Sequence, residues 1–337
     1  MDVLVCGAQV PFTTGGAELA LDSLVAAIRS AGHRCELVRL PAAWDKVRIL
    51  DAPLAWRMVP LDADVVVTTN FPSYFARHPR KVVWLFHQHR AAYDAVDQPW
   101  SDFGSDDASL EAQRLLTEWD SRALSEAQRI FTISNVVADR LARYNGLAGT
   151  PLYHPPPLHD QLHAGPFSNY VFCPTRLAEN KRPHLVIEGA AAADSPVRVV
   201  LAGQGPLAAS LRVLAKELGI QDRVELPGFV PDDHLVELFA NACAVVYAPL
   251  DEDYGYVTLQ AFLAGKPVIT ASDSGGVLEW VEDGVTGLVT DGTPAGIGRA
   301  IDRLVASPQW ARQLGQAGRE RVASLAWRPV VERLLGE

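Results

Sequence analysis

The chain has 337 residues, of which 48% are hydrophobic and 21% charged, and its formal net charge is −10. That length and balance fit two globular domains of ordinary size and exclude a disordered or fibrous chain. The acidic balance argues against broad nucleic-acid binding, which needs a basic surface.

In chain order, residues 2–10 read as a short buried strand and 11–16 as a loop. Apolar residues at helical spacing then predict a helix over 17–31, closed by Gly32. Residues 34–39, 64–69, 81–86 and 129–133 read as further strands, the last followed by Ser134-Asn135, which suits a helix cap. Strands alternating with helices predict an α/β protein with a parallel, doubly wound sheet. Residues 151–166, rich in Pro and His, read as a linker between domains. The alternation restarts with strand patterns at 170–174, 197–202, 224–226, 244–248, 267–270 and 287–290, and the tail from Pro308 is helical. Two Rossmann-like halves in tandem are the expected architecture. Cys6, Cys173 and Cys243 lie in or beside apolar runs and read as buried thiols, and Cys35 completes a set with no C-x-x-C pair. With no secretion signal and no run of about 18 apolar residues, a cytoplasmic protein is expected, if not one resting on a membrane surface.

The most informative stretch starts at Glu252, where an acidic, glycine-containing loop enters an apolar helix that stops at Gly265-Lys266-Pro267. A helix start offers unpaired N–H groups and a positive dipole end, which suit a phosphate. Arg176 and Lys181 follow a strand directly, on the side where open α/β sheets bind ligands. Two cations there can neutralise a diphosphate without a metal, although a solvated basic pair is the plain alternative. Gly15-Gly16 at a helix start let the backbone approach an anion closely, while Glu18 favours the helix dipole. His87-Gln88-His89 ends a strand, and two histidines are too few for a metal. Asp251-Glu252-Asp253 mimics a metal-binding Asp-x-Asp, and His154, His159 and His163 interleave with prolines; neither group reads as a metal site.

Taken together, Arg176…Lys181, Gly203-Gln204-Gly205-Pro206, Gly228-Phe229-Val230, Glu252-x7-Gln260, Ser274-Gly275-Gly276-Val277-Leu278-Glu279 and Asp283-Gly284-Val285-Thr286-Gly287-Leu288-Val289 resemble, in order and spacing, the retaining glycosyltransferases of the GT-B fold, family 4 or group 1 type. Gly15-Gly16-Ala17-Glu18 resembles that family's Gly-Gly-x-Glu loop. Gln260 departs from the pattern, since the family usually carries Glu there. The resemblance implies two Rossmann-like domains facing a central cleft. Residues 1–165 would bind the acceptor, 166–318 the nucleotide sugar, and 319–337 would form a helix returning to the first domain, crossing near Trp327. It implies metal-independent, front-face transfer from a nucleotide-diphosphate sugar to the hydroxyl of a glycan, lipid-linked or small-molecule acceptor. No cofactor is expected, the nucleotide sugar being a co-substrate.

By the same resemblance, Arg176 and Lys181 hold the diphosphate and Glu252 binds sugar hydroxyls. His87 contacts the transferred sugar, and Gly15 and Gly16 sit beside the donor phosphates. Gly228, Phe229 and Val230 face the nucleobase, Tyr254, Gly255, Tyr256 and Val257 lie against phosphate and sugar, and Gln260 meets the ribose. The neutral Gln260 motivates a rival reading, a non-catalytic nucleotide-sugar-binding or regulatory protein of the same fold. A nucleotide-dependent oxidoreductase or epimerase on paired Rossmann halves is disfavoured, because neither half carries Gly-x-Gly-x-x-Gly with an acid about 20 residues on.

Two stretches concern the acceptor. Residues 29–57 carry six Arg or Lys against three acids, with Trp44 and Trp56 among them, a composition suited to weak peripheral contact with anionic lipid or simply to water. Residues 94–120 carry eight acids and one Arg, with Trp100 and Trp119, and read as an acidic loop for a cationic or sugar acceptor, or a solvated lid.

Overall fold

The computed structural model describes residues 1–10, 15–42, 44–96 and 98–337; the expected loop at 11–14 and Asp97 of the acidic stretch lie outside them. The chain divides into two compact units, residues 1–154 with 326–337, and residues 155–325.

The first unit opens with β1 (Asp2–Gln9), α1 (Gly16–Ser30), β2 (Arg34–Pro41), α2 (Asp51–Met58), β3 (Val65–Thr68) and β4 (Lys81–Leu85). It continues with α3 (Asp107–Ser125), β5 (Arg129–Thr132), α4 (Asn135–Asn145) and the short β6 (Thr150–Pro151). All strand pairs are parallel, in the order β2-β1-β3-β4-β5-β6. Strands covered on both faces read as near-continuous apolar runs, and every residue of β3 and β4 is buried, with Lys81 paired to the Tyr74 and Ala123 carbonyls and to Glu126. Helix α1 meets the sheet through Leu21, Leu24, Val25 and Ile28, spaced as one helical face requires. Its first turn is held by Glu18, whose Oε2 accepts from the Gly15 N–H at 2.9 Å, so the carboxylate serves the helix start.

The acidic stretch is not the loop or lid that its composition suggests. Asp106 caps α3 by accepting from the Ser109 N–H at 3.0 Å, and nineteen residues of helix follow. Among the described residues, Asp94 pairs with Arg90 and Arg140, Asp102 accepts from the Lys46 N–H, and Glu111 and Glu118 pair with Arg114. Asp120 is buried and accepts from the Tyr93 hydroxyl at 2.5 Å. The sign of the charge was legible, but capping and pairing determine what the charges do.

The second unit contains β7 (Tyr170–Pro174), α5 (His184–Ala192), β8 (Arg198–Ala202), α6 (Ala208–Glu217), β9 (Val224–Gly228), α7 (Asp232–Asn241) and β10 (Ala244–Val246). After these come α8 (Tyr256–Leu263), β11 (Val268–Ala271), β12 (Gly287–Thr290), α9 (Pro294–Ala306) and α10 (Pro308–Val322). Its sheet is also parallel, in the order β12-β11-β10-β7-β8-β9. Val171, Val199, Val246 and Ile269 build its core with Ile187 of α5 and Ile297 and Ile301 of α9.

The last helix, α11 (Trp327–Leu335), belongs to the first unit and packs on α1. Val330, Val331, Leu334 and Leu335 are buried, each contributing about 1.5–3 kcal/mol on full burial. Arg129 donates to the carbonyls of Arg333 and Leu334 at 2.8 and 3.1 Å, satisfying the helix end. Trp327 packs against Trp84 and His154 at 6.1 and 5.4 Å between ring centroids.

Residues 151–166 are not a free linker. Pro151 pairs with β5, and His154 is buried against Trp84, where loss of water drives its imidazole pKa down to about 3. From Pro155 onward the segment is fastened to the second unit, by side chains described below. His159 pairs with Asp160 and His163 with Glu237. Composition marked this stretch as irregular, but anchoring by distant side chains leaves no local sign.

Candidate functional site

The second sheet reverses its strand order at one place. From β7 the chain moves outward through β8 and β9; from β10 it moves the other way through β11 and β12. Crossover helices diverge at such a switch point, leaving a crevice beyond the carboxyl ends of the two central strands. Arg176 and Lys181 follow β7, and Glu252 follows β10. The Lys181 ammonium is bonded to Glu252 Oε2 across this point, with both side chains mostly shielded from water. Arg176 is exposed, and its guanidinium forms no hydrogen bond or ion pair among the described residues. One cation is thus held by a carboxylate, and the other is open.

A third group completes the cluster. The Tyr247 hydroxyl donates to the same Glu252 oxygen at 2.9 Å. Burial raises the phenol's pKa well above its ordinary value, and the negative charge of Glu252 raises it further, so the hydroxyl stays a donor. Sequence reading missed Tyr247; its one signal was a hydroxyl in an otherwise apolar strand, which needs a partner when buried. Arg182 was also missed. It donates to the carbonyls of Ala248 and Pro249 at 2.8 and 2.9 Å and grips both oxygens of Asp273, tying the loop after β10 to the loop after β11.

The glycine motifs build this edge by close packing. A Cβ on Gly203 would lie 1.9 Å from the Thr175 carbonyl oxygen, and one on Gly205 2.3 Å from that of Leu177. The turn after β8 therefore presses directly on the loop that carries Arg176. Gly275 and Gly276 lie equally close to the backbone of residues 251–253, and the Gly276 N–H donates to the Glu252 carbonyl at 2.7 Å. The run 283–289 is a turn that feeds β12: Thr286 Oγ1 accepts from the Glu282 N–H, and Gly287 sits where a Cβ would strike the Val268 carbonyl. These glycines are required by neighbouring backbone.

Gly255, at φ +83°, turns the chain into α8 with Tyr256 and Val257 in the first turn. The Tyr254 ring is buried against Tyr256 and Trp280 at 5.5 and 6.2 Å and faces the core. At the end of β9, Gly228 adopts φ +78°, Phe229 is 72% exposed and Val230 is buried. Gln260 is only 8% exposed, and its amide nitrogen donates to the Pro157 carbonyl at 3.2 Å. Gln260, expected at the ribose, thus has its amide nitrogen engaged by the chain itself.

In the first unit the order reverses between β1 and β3. Gly15 and Gly16 follow β1 there, and His87 follows β4, one strand along. His87 is half-buried, its Nδ1 2.8 Å from the Gln88 carbonyl and its own carbonyl accepting from the Phe71 N–H. His89 is buried among Trp44, Phe71 and Phe103, with its pKa lowered to about 4 by burial. Every cation of the basic stretch has an internal partner: Arg29 the Cys35 carbonyl, Arg34 Asp2, Arg39 Asp22, Lys46 Asp106, Arg48 Asp45, Arg57 Glu126. Val47, Leu54 and Met58 are exposed there. Cys6, Cys35, Cys173 and Cys243 are buried thiols whose pKa values burial raises to about 11 or 12, which makes them poor nucleophiles. Among the described residues no three His, Cys, Asp or Glu side chains group so as to hold a metal ion, and no helix is long and apolar enough to cross a membrane.

Residues 159–321, nearly all of the second unit, match the family model of the glycosyl transferases group 1. The chain carries a group 1 glycosyltransferase domain. The chain is 38% identical over 138 residues to a GDP-mannose-dependent alpha-(1-6)-phosphatidylinositol monomannoside mannosyltransferase of Mycobacterium tuberculosis, covering 39% of this chain and 35% of the relative. It is 33% identical over 123 residues to a D-inositol 3-phosphate glycosyltransferase of Thermobifida fusca, covering 36% and 28%. The matched stretch spans about a third of these relatives' length. Likeness in structure extends across the chain: a sucrose-phosphate synthase from Thermosynechococcus elongatus aligns over 99% of this chain and 97% of its own, with TM-score 0.76 and 18% identity. Anabaena HepE, in complex with UDP-glucose, aligns over 100% and 98%, with TM-score 0.76 and 17% identity. The fold is that of the GT-B glycosyltransferases.

Proposed function

We propose that this chain is a retaining, metal-independent glycosyltransferase that moves a sugar from a nucleotide-diphosphate sugar to an acceptor hydroxyl. One observation carries the reading: an open Arg176 and a Lys181–Glu252–Tyr247 cluster converge at the switch point of the group 1 domain, beside the start of α8. A diphosphate there meets two cations and a helix N-terminus, and a sugar attached to it meets a carboxylate whose orientation is fixed. In the proposed step the bond from the anomeric carbon to the phosphate oxygen breaks. A new bond to the acceptor oxygen forms on the same face, and the acceptor proton passes to the leaving phosphate. Arg176 and Lys181 stabilise the charge that develops on the diphosphate, the term that usually counts most in such transfers. Glu252 holds sugar hydroxyls, and exposed Phe229 offers a ring face to the nucleobase. Gly15, Gly16 and His87 stand on the matching edge of the first unit, where we place the acceptor, a glycan, glycolipid or small molecule.

A UDP or GDP sugar is the favoured donor class, since HepE is solved with UDP-glucose and the mycobacterial relative is named for GDP-mannose. Any lipid contact through residues 29–57 would rest on exposed Val47, Leu54 and Met58, because the cations there are internally engaged. Thermal unfolding with UDP, GDP, ADP, dTDP and NAD(P) tests the reading. A ligand at about 100 times its Kd adds about 2.7 kcal/mol of stability, so at least one nucleoside diphosphate should raise the midpoint, with EDTA present or absent. Stabilisation by NAD(P) alone would overturn the proposal, and a response that EDTA abolishes would overturn its metal-free part.

A further inference from the structure

Helix α8 does more than present its first turn to the switch point. Gln260 in its middle and Lys266 just beyond its end fasten the segment that joins the two units. Gln260 Nε2 donates to the Pro157 carbonyl at 3.2 Å. Lys266, fully buried, donates to the carbonyls of Gly165 and Pro166 at 3.0 and 2.9 Å, and its ammonium lies 3.8 Å from the centre of the Phe167 ring. Pro155-Pro156-Pro157 carries no N–H and so cannot anchor itself through its own donors. The next residue, Leu158, holds φ +64°, a conformation that side-chain-bearing residues keep only when their surroundings impose it. Anchoring therefore falls to donors brought from α8.

We propose that Gln260 is a positioning residue, which locks the connecting segment onto α8 through the Pro157 carbonyl instead of binding the donor's ribose. The residue type follows from the partner. A carbonyl needs a donor, and an amide supplies one at every pH, whereas an ionised glutamate at the same length offers only acceptors. A carboxylate here would face the carbonyl with like partial charge in a site shielded from water, and the segment would be released.

The decisive comparison uses the full chain with Gln260→Glu and Gln260→Ala, its unfolding midpoint read from about pH 8 to about pH 5. In the Glu variant, burial and the carbonyl both favour the protonated acid, so the folded-state pKa is raised above the unfolded value. The acid's contribution is then full at low pH and lost as pH rises through the folded pKa. The Glu variant should therefore fall below wild type near pH 8 and converge on it as pH falls, while the Ala variant stays low throughout. Wild type also carries His159 with Asp160, His163 with Glu237, and Lys266, so the difference between chains isolates position 260. A gap between Glu variant and wild type that does not change with pH would overturn the lock.

A second arm rests on the donor reading and uses UDP against 2′-deoxy-UDP, and GDP against 2′-deoxy-GDP, as thermal-shift ligands. The ratio of ribo to deoxy affinity should agree between wild type and the Ala variant within about twofold. Loss in the Ala variant of a ribo preference of about tenfold would return Gln260 to the ribose. If no nucleotide stabilises wild type, the donor reading fails, and the pH comparison alone still decides the lock.

Discussion

Lys181 and Glu252 lie 71 residues apart in the chain, yet they share a hydrogen bond, and Tyr247 donates to the same oxygen. The carboxylate is held from two sides, so its orientation does not depend on ligand. Lys181 is therefore part of the wall that fixes Glu252 as well as a cation for the diphosphate, whereas Arg176 has only the second task. Arg176→Ala should lower turnover about 10²-fold, the scale of losing one electrostatic donor to a developing charge. Lys181→Ala should do the same and also raise the donor KM, because Glu252 then keeps only Tyr247. Steady-state kinetics with varied donor separate the two effects, and near-normal values in both variants would refute the diphosphate assignment. The sequence pointed to Arg176, Lys181 and Glu252 by motif; it could not show that two of them pair, because a bond between strand ends depends on which strands are neighbours.

At the scale of elements, the loops after β7, β8, β10 and β11 are set by backbone pressed on backbone. Gly203 has φ +140° and its Cβ direction runs into the Thr175 carbonyl, while Gly228 has φ +78° and open space around the same direction. Gly203→Ala should thus cost about 2 kcal/mol or more, since the neighbouring strand-end loop must move. Gly228→Ala should cost only about 1–2 kcal/mol, the penalty for the left-handed conformation alone. Denaturant unfolding of the two variants checks the ranking, and equal losses would show that close packing is not what fixes the Gly203 turn. The elements themselves were largely readable: β7, β8, β10 and β11 fall where the apolar runs predicted them. Helix α3 was not, because eight acids in twenty-seven residues mimic a solvated loop until Asp106 is seen to cap a helix and Asp120 to point inward.

For the whole molecule, two units with separate cores should respond to different variables. Burial pushes the Asp120 carboxyl pKa up to about 7, against the lowering effect of the Tyr93 hydrogen bond. A carboxyl raised above its unfolded value of 3.8 contributes stability that is full below that value and lost as pH climbs through about 7. The first unit should accordingly lose stability between about pH 4 and pH 7 on account of this group. Asp120→Asn should flatten that slope while leaving nucleotide stabilisation of the second unit intact. Calorimetry across this range checks both, and an unchanged slope in the variant would show that Asp120 does not titrate in it. The sequence by itself determined the parallel α/β halves, the group 1 motif order and the candidate cations, because hydrophobic period and glycine spacing are local and survive without context. Only the tertiary structure decided that the six cations of residues 29–57 are spent internally, that Tyr247 steadies Glu252, and that Gln260 holds Pro157. Those outcomes turn on which distant groups come within about 3 Å of each other, and hydrogen bonding at that range is fixed by packing and not by pattern.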